Sequence, residues 1–450
     1  MSEALKMQAD AALIDDRAEI RPADIVSVSR RTAMLCLLAL IYSLNYLDRQ
    51  VVVILQEPIK ADFQLLDWQL GMLTGGAFGL FYTMLGIPIA QQVDRGVHRV
   101  RLIALLTAIW SVMTAICGMT RGFGQFLVAR MAVGLAEAGF TPCAHSLISD
   151  LYPPRQRPQA IGLFAIGLPV GVMIGLSMGG IIAQAAGWRT ALLVAGAPGL
   201  LLALAFPLIS REPSRGATEP GGGACSGRDA SEGFFEAAWL LVRRPAFRHV
   251  LLATAATAFA QTGLSSWLPS FLIRVHHLSL SEAGLGLGML TGLCGMAGTV
   301  LGGWQATRLG ANGDHKMLWL PAGGLALAIP IYVVALLAGS GPAVLLLLIP
   351  PFFLSALWTA PATALMQNLA PVAMRARASA LQVVVANLIG VSLGPVAAGA
   401  LSDWFGAMRG DPAAGLRDAL VAMVLLLGWG IVHWLLAIRA LARGGETAPA

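Results

Sequence analysis

Twelve long apolar stretches divide the chain, at approximately 33–56, 68–92, 100–118, 124–149, 158–186, 190–209, 248–273, 283–307, 317–338, 343–369, 377–403 and 418–438. A helix needs roughly 20 predominantly apolar residues to cross about 30 Å of hydrocarbon, and each stretch is close to that length or longer. The stretches do not alternate apolar with polar residues and are too long for barrel strands, which leaves helices as the spanning structure. Composition agrees: 57% of residues are hydrophobic and 12% are charged. A soluble domain carries about one-quarter charged residues, and a chain with so few cannot cover a water-facing surface. The 51 glycines suit helices whose backbones pack closely in lipid. The expected fold class is an all-α membrane protein with twelve transmembrane helices in two six-helix halves.

Charge placement orients the bundle. With the first residues inside, 22 of the 30 Lys and Arg fall in inner segments and six in outer loops, while Arg49 and Arg130 lie within spans. Such a bias puts both termini in the cytoplasm. The net charge of +6 is spread over short loops rather than gathered on one face, which argues against a nucleic-acid partner. Cys36, Cys117, Cys143, Cys225 and Cys294 show no paired spacing, so neither a disulfide framework nor a metal centre is expected. Residues 1–32 are polar, lack the pattern of a cleavable signal and read as a cytoplasmic tail. Residues 33–209 form the first six-helix half, 210–247 a cytoplasmic linker, 248–441 the second half and 442–450 a C-terminal tail. Within the linker, GATEPGGGACSGRDASEG has connector composition. The following FFEAAWLLVRR is amphipathic and basic and is expected to lie along the inner membrane surface.

The halves repeat one another. GIPIAQQVDRG follows the second stretch and GGWQATRLG the eighth, aligning Asp94 and Arg95 with Thr307 and Arg308 at an offset of 213. DLYPPRQRPQA follows the fourth stretch and NLAPVAMRARA the tenth, aligning Pro153, Arg157 and Ala160 with Pro371, Arg375 and Ala378 at an offset of 218. Two matches at corresponding places argue for duplication.

Over about residues 33–440 the chain resembles the major facilitator superfamily. VDRGVHRVR is similar to that superfamily's Gly-x-x-x-Asp-Arg signature, with Ala90 at the usual first glycine and Gly96 one place early. RMAVGLAEAG matches Arg-x-x-x-Gly-x-x-Glu-Ala through Arg130, Gly134, Glu137 and Ala138. NYLDR, RMAVGLAEAGF and ISDLYPP together are most similar to the Spinster branch, which includes carriers of sphingosine-1-phosphate and lysophospholipids. Sugar-acid anion symporters share a similar NYxDR helix. The resemblance implies a transporter rather than an enzyme, in a bacterial inner membrane, working by alternating access of two halves about a midplane site. It also implies that Asp94 caps the eleventh helix near residues 375–378 and so stabilises the outward-open state.

Charges at bilayer depth cost at least about 2.5–3.5 kcal/mol each, so they persist where they pair or face a watery cavity. Asp48 and Arg49 are adjacent and diverge by roughly 100° around the first helix; Arg130 and Glu137 are seven residues apart and share a face of the fourth. One reading is a static network, Asp48–Arg130 or Arg49–Glu137, that holds two helices together. The other is proton coupling at Asp48 and Glu137, with Asn45, Arg49 and Arg130 completing the charge network. A carboxylate there is neutral when desolvated and ionises when an arginine approaches. The interior of the last six stretches holds no Asp, Glu, Lys or Arg, and Asp48, Arg49 and Glu137 align there with Ser266, Trp267 and Ser355. The opposite wall would consist of Gln261, Ser265, Trp267, Met289, Trp358 and Met366, which suits a substrate with one polar end and one apolar body. His145 and His433 read as packing residues, and Gln382 and Asn387 as bonds between helices. At the inner ends Asp94, Arg95, Asp150, Arg157 and Arg375 form a cytoplasmic gate, Arg95 facing Asp150.

These observations lead to a proton-coupled secondary transporter of amphiphilic lipids, lysophospholipid- or sphingolipid-like, with a symporter of small organic anions as the alternative and a non-transporting sensor as a remote one. No cofactor beyond the coupling proton is expected. The expected partners are the substrate and the bilayer, with the chain a monomer.

Overall fold

The computed structural model describes residues 27–216, 218, 234–311, 313–371 and 374–443. Residues 1–26 and 444–450 of the expected tails and most of the Gly- and Ser-rich part of the linker fall outside them, while residues 28–32, expected in the tail, belong to the first helix. Among the described residues the regular structure is all helix. The spanning helices are α1 (Val28–Ile54), α2 (Asp67–Val93), α3 (Arg99–Met119), α4 (Phe123–Leu151), α5 (Arg157–Ala186), α6 (Trp188–Ile209), α7 (Pro245–His276), α8 (Leu280–Gly310), α9 (His315–Leu336), α10 (Gly341–Leu369), α11 (Arg377–Arg409) and α12 (Pro412–Ala442). Eleven of these are long and apolar enough to cross a membrane. The other, α7, has 32 residues, ample length at 1.5 Å per residue, but Thr254, Thr257, Gln261, Thr262, Ser265, Ser266 and Ser270 dilute its hydropathy.

Twelve crossings bring the first and last described residues to one side, the terminal end; the opposite side is the far end. Several helices start before their apolar stretches because their N-termini are polar and capped. Ser27 accepts from the Arg30 N–H, Ser279 and Glu282 form a reciprocal box at the start of α8, and Asp411 caps α12. Between α6 and α7 a ten-residue helix, Phe234–Arg243, exposes Trp239 and Leu240, with the Arg243 guanidinium 4.9 Å from the Trp239 ring centre. Lipid would cover such an apolar face.

Contacts within and between halves differ. Inside each half, α3 packs on α6 and α1 on α5, as α7 packs on α12. Between halves, α5 lies along α8 and the start of α2 along α11. Glycine permits both crossings: a Cβ at Gly71 of α2 would collide with the Pro395 carbonyl of α11, and one at Gly284 of α8 with the Leu176 carbonyl of α5. Gly71 and Gly284 differ by 213 positions, the offset already seen in the loops, so the duplication extends into the interface. One apolar core runs from the far end of the first half (Val51–Leu55, Leu70, Leu73, Phe126) into the second half (Trp267, Leu268, Phe271, Met423). The buried residues of the other (Met34, Leu38, Phe78, Ile103, Phe140, Phe164) all belong to the first half, with Val391 of α11 packed against them. The halves are therefore welded at the far end.

Candidate functional site

Four helices of the first half bring a cluster of charges together between the middle of the bundle and its far end. Gly134 sits against the Phe78 carbonyl, where a Cβ would approach to 2.6 Å, so α4 comes close enough to α2 for Arg130 and Glu137 to reach the charges of α1. Asn45 is 2% exposed, Asp48 1%, and Arg130 and Glu137 0%. Arg49 Nε donates to Glu137 Oε2 at 2.8 Å, and Arg49 Nη2 to Asn45 Oδ1 at 3.0 Å. The Arg49 guanidinium also lies 4.8, 4.5 and 4.8 Å from the ring centres of Tyr46, Phe78 and Tyr82. Asp48 turns the other way, as adjacent helical residues must, and accepts from Thr114 Oγ1 of α3 at 3.2 Å.

Of the two ion pairs weighed from the sequence, Arg49–Glu137 forms. Asp48–Arg130 does not: Arg130 donates through Nε to the Leu73 carbonyl at 3.3 Å, and its two terminal nitrogens, like Asp48 Oδ1 and Glu137 Oε1, are buried without a hydrogen-bond partner. The cluster holds two acids and two arginines, formally neutral in sum, with one arginine uncommitted to either acid. Buried polar atoms left open in this way are where water, a proton or a substrate group can be accommodated.

The second half faces this cluster with few polar groups. Gln261 Nε2 donates to the Ser355 carbonyl at 2.9 Å, and Trp358 Nε1 to Gln261 Oε1 at 3.0 Å. Trp267, expected on a cavity wall, is instead fully buried, its indole N–H on the Pro395 carbonyl at 2.9 Å; it is part of the far-end weld. Met366 is likewise fully buried. Gln382 reaches Thr363 of α10 at 3.3 Å, an interhelical bond as expected. His433 is not isolated: its Nδ1 lies 3.1 Å from that of His249. His145 packs edge-on against Phe164.

At the terminal end the expected gate is rearranged. Arg95 is exposed, and Asp150 is taken by Arg99 and by the Gly216 N–H at 3.0 Å, because Arg99 is buried between α3, α4 and the linker while Arg95 lies past the last turn of α2. Glu212 binds Arg99 Nε at 2.6 Å and caps α3 through the Val100 N–H at 2.8 Å. Arg157 closes the end of α4 on the carbonyls of Ser149 and Tyr152, at 3.1 and 3.0 Å. Arg375 is exposed at the first turn leading into α11; Asp94 ends the helical segment of α2, and its side chain lies outside the described residues.

The sequence reading did not single out the far-end clasp. Arg274 of α7 bridges Glu57 at 2.7 Å and Asp67 at 2.7 Å, Lys60 and Ser402 also bind Asp67, and Ser270 meets Gln56 at 3.0 Å. Asp403 of α11 accepts the N–H groups of Asp67 and Trp68 at 3.0 and 2.9 Å, capping α2 from the other half. Gln184 of α5 does the same for α8 through the Ser281 N–H at 3.0 Å. Clustering of charge at the junction of the first two stretches was the available signal.

The Major Facilitator Superfamily model matches residues 38–395. An MFS-type efflux pump of Mycolicibacterium smegmatis is 32% identical over 410 residues, 91% of this chain and 93% of the pump. Human protein spinster homolog 1 is 28% identical over 396 residues, 84% of this chain and 74% of that protein. A solved bacterial homologue of the human lysosomal transporter Spinster, in an inward-facing and unoccupied conformation, superposes with a TM-score of 0.86 at 32% identity, covering 94% of this chain and all of that one. The buried arginine–carboxylate cluster thus sits in a fold shared with transporters, and the chain belongs to the major facilitator superfamily as a multi-pass membrane transporter of the Spinster type.

Proposed function

We propose that the protein is a proton-coupled carrier of amphiphilic lipids, lysophospholipid- or sphingolipid-like, that works by alternating access with both termini in the cytoplasm of a bacterial inner membrane. The observation that carries the reading is the lopsided distribution of buried charge: two carboxylates and two arginines lie inside one half, with Arg130 bound to neither acid. Asp48 and Glu137 are the proton-binding groups, and protonation frees or recaptures an arginine as the halves rock. The welded far end and the likeness to an inward-facing homologue support assignment of this conformation to the inward-facing state. The weakly polar second half, with Gln261 and Trp358 as its hydrogen-bonding pair, receives the apolar body of the substrate. A relative, a probable L-galactonate transporter of Escherichia coli, 27% identical over 302 residues, favours the small-anion alternative, in which the open nitrogens of Arg130 hold a carboxylate.

The test uses the whole protein in sealed vesicles with lysophosphatidylethanolamine and L-galactonate as probes. Asp48→Asn mimics the protonated acid; it should retain exchange of lysolipid for lysolipid yet fail to accumulate it under an imposed proton gradient. Undiminished gradient-driven accumulation in that variant removes the coupling role, and flux of the sugar acid alone replaces the lipid reading by its alternative.

A further inference from the structure

Arg130 is the one member of the central cluster that touches neither acid, although both are near. Its contacts come from α2. Nε binds the Leu73 carbonyl at 3.3 Å, and the guanidinium carbon lies 5.2 Å from the centre of the Phe78 ring. Leu73 lies in a π-helical turn, Met72–Gly76, where the helix ladder is wider than in an α-helix; such turns recur at functional sites. Phe78 lies two residues past that turn, after Ala77, and is 1% exposed. The same ring lies 4.5 Å from the Arg49 guanidinium, so one aromatic side chain serves both cations of the cluster. The charged and titratable groups surrounding Arg130 are Asp48 and Arg49 of α1, Cys117 of α3 and Glu137 of its own helix. Tyr46 and Tyr82 flank the neighbouring Arg49.

A guanidinium buried among two carboxylates would fall onto one of them unless something held it back, because attraction at short range in a poorly polar interior is strong. A ring face attracts a desolvated cation, and a carbonyl supplies a further charge-assisted bond. We propose that Phe78 is a positioning residue: with the Leu73 carbonyl it holds the Arg130 guanidinium on α2 and off Asp48, the acid that no arginine binds, keeping that carboxyl able to take up a proton. The proposal rests on the proton-coupling reading above. It also ties the charge cluster to the interface between halves, because the π-helical turn that presents Leu73 carries Gly75, whose space is filled by Val391 and Pro395 of α11. A shift of α2 against α11 therefore moves the seat of Arg130.

The experiment needs no transported substrate. The carboxylic C=O stretch of the protonated acids is followed by infrared difference spectroscopy as pH is varied, on whole protein in lipid nanodiscs, with bands assigned through Asp48→Asn and Glu137→Gln. Phe78→Leu keeps bulk and removes the ring face; Phe78→Met replaces it if the Leu variant does not fold. Arg130 then settles on Asp48. A nearby cation favours the ionised form, so protonation requires lower pH and the Asp48 titration midpoint moves to the acid side by about one unit or more. Phe78→Tyr retains the face and should keep the wild-type midpoint. An unmoved Asp48 midpoint in a folded Leu or Met variant, a move to the alkaline side, an equal move in Phe78→Tyr, or titration of Glu137 alone overturns the proposal while the proton reading stands. If no band assigned to Asp48 or Glu137 titrates in the wild type, the proton reading fails and this proposal fails with it.

Discussion

Arg49 is bound three ways at once, to a carboxylate, to an amide oxygen and against three rings. A buried ion pair adds little net stability compared with a well-packed apolar pair, yet removing one partner leaves the other charged, buried and alone, at about 3–5 kcal/mol. Arg49→Ala and Glu137→Gln should therefore each lower the melting temperature strongly, and the double variant should be much less destabilised than the sum of the two. Full additivity in thermal unfolding would mean that the 2.8 Å contact carries no coupling energy. Asp48→Asn should cost less, since it changes a group held by one threonine hydroxyl. These residues were legible in the sequence because an acid or arginine inside an apolar stretch is conspicuous in itself. Their partners were not. Thr114 and Phe78 are ordinary residues of transmembrane helices, and only the rotation of α3 and α2 shows that they face the charges. Trp267 misled for the same reason, since a large aromatic residue opposite a charged site reads equally well as a wall or as packing.

Among the helices, the two crossings between halves are built alike. α2 meets α11 where Gly71 faces Pro395, and α8 meets α5 where Gly284 faces Leu176. Gly71→Ala and Gly284→Ala should each force the backbones apart at the far end at about 1–3 kcal/mol, the cost of overpacking. Because the crossings are related by duplication, the two variants should shift the population toward a far-end-open form by similar amounts. Distance distributions between spin labels on the far-end loops measure this; a shift from one variant alone would show that the crossings do not share the closure. Helix number, helix length and the duplication are legible in the sequence, since hydropathy and loop motifs are local features. Which helix lies on which is not, because glycine pairs that meet their partners across the halves do so over 100 or more intervening positions. α7 shows the limit of hydropathy: its hydroxyls and Gln261 make it the least apolar span, while its length and its packing against α12 make it one of the twelve.

For the molecule as a whole, the two ends serve different purposes. The far end joins the halves through the Glu57–Arg274–Asp67 bridge, the reciprocal caps from Asp403 and Gln184 and a continuous apolar core. The terminal end instead binds the linker to the first half. Both sets of charges lie at the edges of apolar stretches, where the sequence resembles any solvated loop, so neither clasp could be told from ordinary loop charge without knowing which ends meet.

The strap at the terminal end bears on how the protein could be built from pieces. Glu212, Pro213, Gly216 and Thr218 are all bonded to α3 or to the end of α4 and its following turn. On the other side of the linker, Arg244 is held by the second half, at the Leu369 carbonyl, 2.9 Å away. By this measure the boundary between the halves as assembly units falls after Thr218, not at the end of α6. Two polypeptides divided between residues 219 and 233 should each retain their anchoring contacts and should co-purify when expressed together, through the far-end weld. A division just after Ile209 uses the same twelve helices but parts α3 from its Glu212 cap and leaves Arg99 and Asp150 without the strap. Its first fragment should accumulate at a markedly lower level, measured by tagged-fragment yield in membranes. Equal yields from both cuts would show that the strap contributes nothing to the first half as an independent unit.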